Sequence, residues 1–283
     1  MTTPPEAPRP LRADGRAGPE PRYPEPAFRW LSASGLRFGL TLLGFAAFYA
    51  ACLAVTDVSP QRLIDGIPRL FKWAARAWPP DFSESGALLS RAAETVGMAT
   101  VGTTLGVLLA APVCLLAART VTANPLLSYP ARWFLNIFRG IDSFVFALIF
   151  VAAVGLGPFA GALGVGFHTA GSLGKLWAEA IEAVERGPVE AAQATGAGRL
   201  KIVGFVILPD VMPSLVSITL YLWEFNVRAS TVLGIVGAGG IGQELKNSVD
   251  LLDFPRVFGI LLLILAMVTV IDQASAWLRS RLS

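Results

Sequence analysis

Long runs of uncharged, mostly apolar residues alternate with short polar segments along this chain. A helix needs about 20 apolar residues to cross the hydrocarbon core of a bilayer, where its own backbone must satisfy every hydrogen-bonding group. Six runs approach or reach that length, and the predicted spans are residues 38–55, 95–118, about 133–156, about 158–176, about 211–233 and 254–277. The pattern therefore predicts an all-α, polytopic membrane protein with about six transmembrane helices.

Composition supports lipid as the solvent of this fold. Of the 283 residues, 54% are hydrophobic and 15% are charged, and the mean hydropathy is +0.59. Residues 1–35 differ from the rest, because eight prolines occur by position 26 among Arg, Glu and Gly. They are predicted to be a disordered cytoplasmic tail without a signal-peptide core, ahead of a transmembrane domain at residues 36–283.

The distribution of Lys and Arg predicts which side of the membrane each loop faces. Positive charge is enriched in cytoplasmic loops. It occurs before the first predicted span, between the second and third, between the fourth and fifth, and after the sixth. Both termini are therefore expected in the cytoplasm. The loop between the first two spans is an exception on the outer side, since it carries Arg62, Arg69, Lys72, Arg76 and Arg91.

That exceptional loop has the periodicity of an amphipathic helix. At 100° per residue, its charged residues between positions 62 and 76 share one arc, and its apolar residues between positions 63 and 78 share the opposite side. Pro68 is expected to kink the helix. The helix is predicted to lie in the lipid interface, and docking of an external protein is the alternative.

Small residues recur four apart in two of the predicted spans. Gly102 and Gly106 lie in the second span, and Gly166, Ala170 and Gly174 lie in the fourth. Such spacing lets helix backbones approach closely. The pattern predicts contacts within the helix bundle and between two copies of the chain.

The polar segment at residues 186–209 is predicted to form a helical hairpin. Pro188 suits the first turn of a helix, and Glu190 would then lie near its positive N-terminal end. Gly196 permits a sharp turn, after which a second short helix would end at a break at Leu208-Pro209. The alanines of the first helix make it narrow enough to enter a cleft on a partner, and an ordinary hairpin is the alternative.

The spacing within this hairpin resembles the EAA loop of ABC importer permeases. In that family the order is Glu-Ala-Ala, three residues, Gly, nine residues, Ile, one residue and Leu-Pro, and here only Val206 replaces the Ile. The family's loop lies in the cytoplasm and binds a separate ATPase subunit. The resemblance implies that coupling to such a subunit involves Glu190, Ala191, Ala192, Gly196, Arg199, Leu208 and Pro209.

The same resemblance implies the rest of an importer. It predicts the type I ABC importer permease fold, a second permease copy, two copies of the ATPase and an extracytoplasmic binding protein, in the cytoplasmic membrane of a prokaryote. ATP and Mg would be bound by the ATPase, so this chain is expected to bind no cofactor and to hold no catalytic residue. Lys175 agrees, because Leu176 follows it and no phosphate-binding loop is formed.

Five further runs resemble the phosphonate-type permeases, and they are residues 154–161, 168–171, 173–176, 226–234 and 236–242. That family imports phosphonates and, in some members, phosphate or phosphite, so the resemblance implies a small phosphorus oxyanion as the substrate. The chain departs from the family at Asp142, where proline is usual. A permease for another small solute, an ion-driven secondary transporter and a membrane enzyme are the alternatives.

Four glycines follow the fifth predicted span. Gly237, Gly239 and Gly242 have the spacing of a dinucleotide-binding fingerprint, but they lie between two spans rather than between a strand and a helix. Together with Gly240 they are predicted to form a compact turn at the outer end of that span and to shape a gate.

Polar side chains inside the spans need partners or a polar path, because a charge there costs roughly 2.5 to 3.5 kcal/mol. Glu224 and Arg228, four residues apart, are predicted to pair. The alternative is that Arg228, with Asn226, faces a path that attracts an anion. Asp142 and His168 complete the candidate path, although a hydrogen bond within the bundle is the simpler role for His168.

Two classes of function are disfavoured. A lone histidine without a second ligand nearby predicts no metal site. The arginines are scattered near the ends of hydrophobic runs rather than clustered with aromatic residues, which predicts no nucleic-acid binding.

Overall fold

The computed structural model describes residues 33–56, 59–122 and 124–281. Its helices are α1 (Ala33–Val55), α2 (Pro60–Arg76), α3 (Ser85–Ala117), α4 (Pro125–Gly140), α5 (Ser143–Val154), α6 (Pro158–Glu182), α7 (Arg186–Ala194), α8 (Arg199–Ile202), α9 (Leu208–Leu233), α10 (Gly240–Asp250) and α11 (Phe254–Ser280). A π-helical turn at Val203–Ile207 joins α8 to α9, and a 3-10 turn at Gly234–Val236 follows α9. No strand occurs within these described ranges. The predicted disordered tail lies outside them, apart from its last three residues.

The chain divides into two units, one ending at Ile67 and the other beginning at Pro68. The described part of the first unit contains α1, which is apolar and long enough to cross a membrane, and the first turns of α2. The second unit contains every helix from α3 to α11. The predicted amphipathic helix is confirmed as α2, although it ends at Arg76 rather than at residue 78, and it contains Pro68.

The second unit is built around α6. Fifteen of its 25 residues are buried, and α3 contacts α6 along a seam of small residues. At Gly106 an added Cβ would lie 2.8 Å from the Cβ of Thr169, and at Gly102 it would lie 2.7 Å from that of Val165. The helices can approach this closely only because both positions are glycine. The predicted small-residue contacts within the bundle are thus confirmed.

Four described helical segments are long and apolar enough to cross a membrane. They are Gly35–Val55, Ser85–Ala117, Arg199–Val236 and Phe254–Ser280, and a bent pair formed by α4 and α5 makes a fifth. The fourth predicted span corresponds to α6, whose length of 25 residues gives about 37 Å. This helix is rich in glycine and buried, which suits the centre of a bundle, where it does not need an apolar surface.

The third predicted span, residues 133–156, is wrong as a single helix. α4 ends at Gly140, α5 begins at Ser143, and the two are bent by 88°. The physical reason is that Asp142 caps α5, because its carboxylate accepts a hydrogen bond from the backbone N–H of Phe144 at 2.8 Å. A side chain interpreted as a charge within a span therefore starts a new helix.

The predicted break at Leu208-Pro209 is also wrong. Residues 199–236 form one continuous helical segment, and Leu208 and Pro209 are the first residues of α9. Pro209 lacks a backbone N–H and would clash with a carbonyl in a regular helix. The π-helical turn that ends at Ile207 directly precedes it and changes the hydrogen-bonding pattern at this position.

Candidate functional site

The predicted EAA loop has the form of a helical hairpin. α7 begins at Arg186, two residues before Pro188, so Glu190 lies in its second turn rather than at its N-terminal end. α7 ends at Ala194, and Gly196 adopts φ +76°, a left-handed conformation that favours glycine. α8 then starts at Arg199. The predicted turn at Gly196 is therefore confirmed.

One side of this hairpin packs on the bundle. Ile202 and Ile207 are buried in a cluster with Leu173 and Ile181 of α6, and Ala192 packs against the same cluster. Between the hairpin and the segment after α3 lies a cleft of about 160 Å³. Its lining includes Arg119, Thr120, Val121, Val189, Gln193 and Arg199. The bundle thus supports the inner side of the loop.

The other side of the hairpin is open. Leu200 is 87% exposed and Phe205 is 83% exposed, so two large apolar side chains of the loop are left uncovered by the bundle. Glu190 is exposed and forms no hydrogen bond or ion pair with any residue that the structure describes. This combination of apolar and charged groups fits a surface that a second protein covers. We call this end of the bundle the EAA end.

The predicted glycine turn lies at the opposite, far end of the bundle. Gly237, Gly239 and Gly240 all have positive φ, between 71° and 85°. The carbonyl of Gly237 accepts a hydrogen bond from the backbone N–H of Gly157 at 2.9 Å, and the hydroxyl of Thr95 accepts one from Ile241 at 2.9 Å. The turn is therefore compact, as predicted, and it is fixed to both α3 and α6.

Ion pairs surround the turn at the far end. Arg256 donates to Glu84 at 2.7 Å and lies 3.5 Å from Glu244, while Arg91 donates to Glu94 at 2.9 Å. The contacts of Arg256 join the start of α3 to α10 and α11. In the nearby loop, hydrogen bonds from Ser83 to the carboxylate lower the pKa of Asp81, and the charge of Arg256 acts in the same direction.

Glu224 and Arg228 pair within α9, as the sequence predicts. Arg228 Nη2 donates to Glu224 Oε1 at 2.9 Å, and Arg279 Nη2 of α11 donates to Glu224 Oε2 at 3.2 Å. Sequence reasoning missed Arg279, because 55 residues separate it from its acceptor. The Arg228 side chain is 50% exposed even though it belongs to a membrane-crossing segment.

The other candidate path residues have structural partners. Asn226 is 1% exposed and donates to Thr103 at 2.8 Å and to Thr169 at 2.9 Å, which links α9 to α3 and α6. His168 Nδ1 lies 2.8 Å from the carbonyl oxygen of Ile141, between α4 and α5. The predicted hydrogen bond of His168 within the bundle is thus confirmed, and it stabilises the helix break beside Asp142.

The candidate residues do not form one site. The EAA loop and the glycine turn lie at opposite ends of the bundle, and the pair formed by Glu224 and Arg228 lies between them along α9. Within the described ranges, no group of three His, Cys, Asp or Glu side chains could hold a metal ion.

Comparison with known proteins defines the class. Residues 102–283 match the family model described as binding-protein-dependent transport system inner membrane component. The chain therefore belongs to that family, whose members are membrane permease subunits of ABC importers rather than enzymes.

The chain is similar to permease proteins of Stutzerimonas stutzeri. The putative phosphite transport system permease protein HtxC is 49% identical over 80% of both chains, and the phosphite transport system permease protein PtxC is 41% identical over 89% of both. The phosphate-import permease protein PhnE of Mycolicibacterium smegmatis is 39% identical over 87% of this chain and 46% of its own length.

Solved structures agree on the fold. One inward-facing structure of the MetNI methionine ABC transporter matches with a TM-score of 0.62 and 24% identity, and the match covers 72% of this chain and 99% of that one. A second crystal form matches with a TM-score of 0.61 and 26% identity, over 69% and 96% of the two chains. The predicted fold of an ABC importer permease is thus confirmed.

Proposed function

We propose that this chain carries a phosphorus oxyanion, such as phosphite, a phosphonate or phosphate, through the cytoplasmic membrane of a prokaryote. The names of the relatives support this class of substrate. In the proposed complex, two copies of the chain form the path, two copies of an ATPase bind ATP and Mg, and an extracytoplasmic binding protein delivers the anion. Both termini and the EAA end face the cytoplasm, in agreement with the positive charge of those segments.

Coupling to the ATPase is assigned to the open side of the EAA loop. Glu190, Ala191 and Ala192 lie on α7, and Gly196 sets the angle at which α7 meets α8. Arg199, Leu208 and Pro209 lie in the continuous helical segment that leads from the loop into the bundle. Because Glu190 is exposed and makes no contact with a described partner, its carboxylate is free to bind another subunit.

The anion path is assigned to the surface around Arg228, and the exposure of this side chain carries the proposal. An arginine that is half exposed within a membrane-crossing helix cannot face lipid without a cost of roughly 2.5 to 3.5 kcal/mol. A path between two copies of the chain removes that cost. A guanidinium group offers several donors in a planar fork that matches the oxygens of a phosphorus oxyanion.

Glu224 tunes this site. It accepts hydrogen bonds from Arg228 and Arg279, so the three groups together carry one net positive charge. Such a site attracts an anion. Because Glu224 offsets one of the two arginines, the site binds the anion weakly enough to release it during transport. We assign to Asp142, His168 and Asn226 the role of shaping the bundle beside the path. The glycine turn at Gly237, Gly239, Gly240 and Gly242 is proposed as part of the outer gate.

The experiment measures initial uptake rates in proteoliposomes that contain the chain, its ATPase and its binding protein. Arg228→Gln is expected to lower the ATP-driven uptake of phosphite, methylphosphonate or phosphate by about tenfold, equivalent to about 1.4 kcal/mol. The uptake rate of Arg228→Lys should lie between those of the unmodified protein and Arg228→Gln, because lysine keeps the charge but loses the planar set of donors. Lys246→Gln is the matched control, because Lys246 is 45% exposed and likewise pairs with a carboxylate four residues away.

Each part of the proposal has an outcome that contradicts it. Uptake at the unmodified rate by Arg228→Gln would exclude this arginine from the path. Absence of uptake for all three anions in the complete complex would exclude the substrate class. Uptake by the chain alone, driven by an ion gradient without ATP, would support the secondary transporter instead.

A further inference from the structure

The ends of α3 and α6 and the middle of α4 meet at one carboxylate at the EAA end. Glu182, the last residue of α6, accepts a hydrogen bond from the backbone N–H of Arg119 at 2.7 Å. Its Oε1 also accepts one from Nη2 of Arg132, on α4. Arg132 Nε in turn donates to the carbonyl oxygen of Ala117, the last residue of α3, at 2.8 Å. We call this group the Arg132–Glu182 clasp.

The clasp is more than a surface ion pair. The side chains of Arg132 and Glu182 are 28% and 27% exposed, so water reaches each of them only in part. Each partner also binds a backbone group at the end of α3, which fixes the geometry in more than one direction. A charged hydrogen bond in such a setting is stronger and more directional than one between freely exposed side chains.

The clasp lies next to the coupling loop along the chain and in space. Only residues 183–185 separate Glu182 from the start of α7. Arg119, whose backbone binds Glu182, also lines the cleft beneath the loop, opposite Val189 and Gln193. The other end of the loop is anchored differently, by the buried side chains of Ile202 and Ile207.

We propose that the Arg132–Glu182 clasp is a positioning element for coupling, and this rests on the proposed coupling role of the EAA loop. It ties the exit of α6 to α3 and α4, so that a displacement of α7 moves three helices together. Without the clasp, the short connection at 183–185 absorbs the displacement, and ATP hydrolysis is no longer converted fully into transport. Sequence reasoning missed the pair because 50 residues separate its members.

The experiment uses the complete transport complex and a spin label. The chain has two cysteines, Cys52 and Cys114, so replacing them with Ser and Ala allows one label to be placed at a chosen site. Ala194→Cys reports on α7, because Ala194 is exposed and is the last residue of that helix. Leu251→Cys reports on the far end, since Leu251 is 79% exposed. The clasp variants are Arg132→Gln, Arg132→Lys and the charge exchange Arg132→Glu with Glu182→Arg.

Arg132→Gln is expected to increase label mobility at position 194 and leave it unchanged at position 251. The number of anions carried per ATP should fall about fivefold, equivalent to about 1 kcal/mol. Arg132→Lys and the charge exchange should each restore part of both values. Arg256→Gln is the matched control, because it removes a 25% exposed arginine that binds a glutamate at the far end.

The outcomes separate this proposal from the one on which it rests. Unchanged mobility at position 194 together with unchanged transport per ATP in Arg132→Gln overturns the clasp, even if Glu190→Ala abolishes coupling. If Glu190→Ala leaves coupling intact while Arg132→Gln raises mobility at position 194, the coupling role of the loop fails but the positioning of α7 by the clasp stands. If Arg132→Gln folds poorly, Arg132→Lys provides the test. An Arg132→Lys variant that folds fully but restores neither label mobility nor transport per ATP would also overturn the clasp.

Discussion

The two ends of the bundle differ in how their charged groups are paired. At the far end, Gly240, Ile241 and Gly242 are buried, and the ion pairs around them use only residues of this chain. At the EAA end, Leu200 and Phe205 are exposed and Glu190 has no partner among the described residues. The far end pairs its charged groups within the chain, whereas the EAA end leaves a carboxylate that a second protein can bind.

This difference indicates how the two ends respond to change. A closed turn without spare volume transmits strain directly, because interiors packed to crystal-like density do not absorb an added atom. An open loop tolerates new side chains but depends on its backbone angles for the direction in which it points. Substitution of the packed Gly242 should therefore disturb folding at the far end, and substitution of Gly196, with its positive φ, should disturb coupling at the EAA end.

The largest effect is expected for Gly242→Ala. A Cβ at this position would overlap the backbone carbonyl of Thr231, and backbone cannot move aside as a side chain can. The cost should be about 1–3 kcal/mol or more. We expect poor yield and a clearly lowered unfolding temperature in detergent. Gly187→Ala at the EAA end is the control, since no atom lies within 4 Å of its added Cβ and stability should be nearly unchanged.

The second effect concerns transport rather than folding. Proline cannot adopt the φ of +76° at Gly196, so Gly196→Pro should misdirect α7 and lower uptake about tenfold or more while the protein remains in the membrane. Glu190→Ala should likewise uncouple ATP hydrolysis from uptake. Gly198→Ala and Glu185→Ala are the controls, because Gly198 has φ −68° and Glu185 is exposed. Normal coupling in both test variants would contradict the role of the loop.

The smallest effect is expected for Arg256→Gln. Its partner Glu84 is 58% exposed, and such partly exposed pairs contribute about 0–1 kcal/mol. The unfolding temperature should change little and should approach that of the unmodified protein further as salt is added. A loss comparable to that of Gly242→Ala would show that ion pairs, rather than packing of the glycines, hold the far end closed.

Much of the fold could be predicted from local patterns in the sequence. The amphipathic helix α2, the turn at Gly196 and the pairing of Glu224 with Arg228 all depend on residues a few positions apart, and all could be predicted. The spacing within the EAA loop identified the family for the same reason. Periodicity and turn chemistry are properties of short windows, so one sequence is sufficient to read them.

Contacts between distant segments could not be predicted. The bonds of Arg279 to Glu224 and of Arg132 to Glu182 join residues 55 and 50 positions apart. The break between α4 and α5 did have a local signal, since Asp is a preferred N-cap, but hydropathy favoured an unbroken span. The path of α9 through Pro209 depends on the π-helical turn, for which the sequence has no simple signature.

That π-helical turn has a consequence for insertions and deletions. Ile202 and Ile207 are five positions apart, which in a regular α-helix would place them about 140° apart, yet both are buried in one cluster. Such a turn accommodates one extra residue. Deleting a single residue between 203 and 207 would restore regular winding with the two isoleucines four positions apart, about 40° around the helix, so both would still face the same cluster. The π-helical turn thus lengthens the chain by one residue while the EAA loop keeps its direction relative to α9.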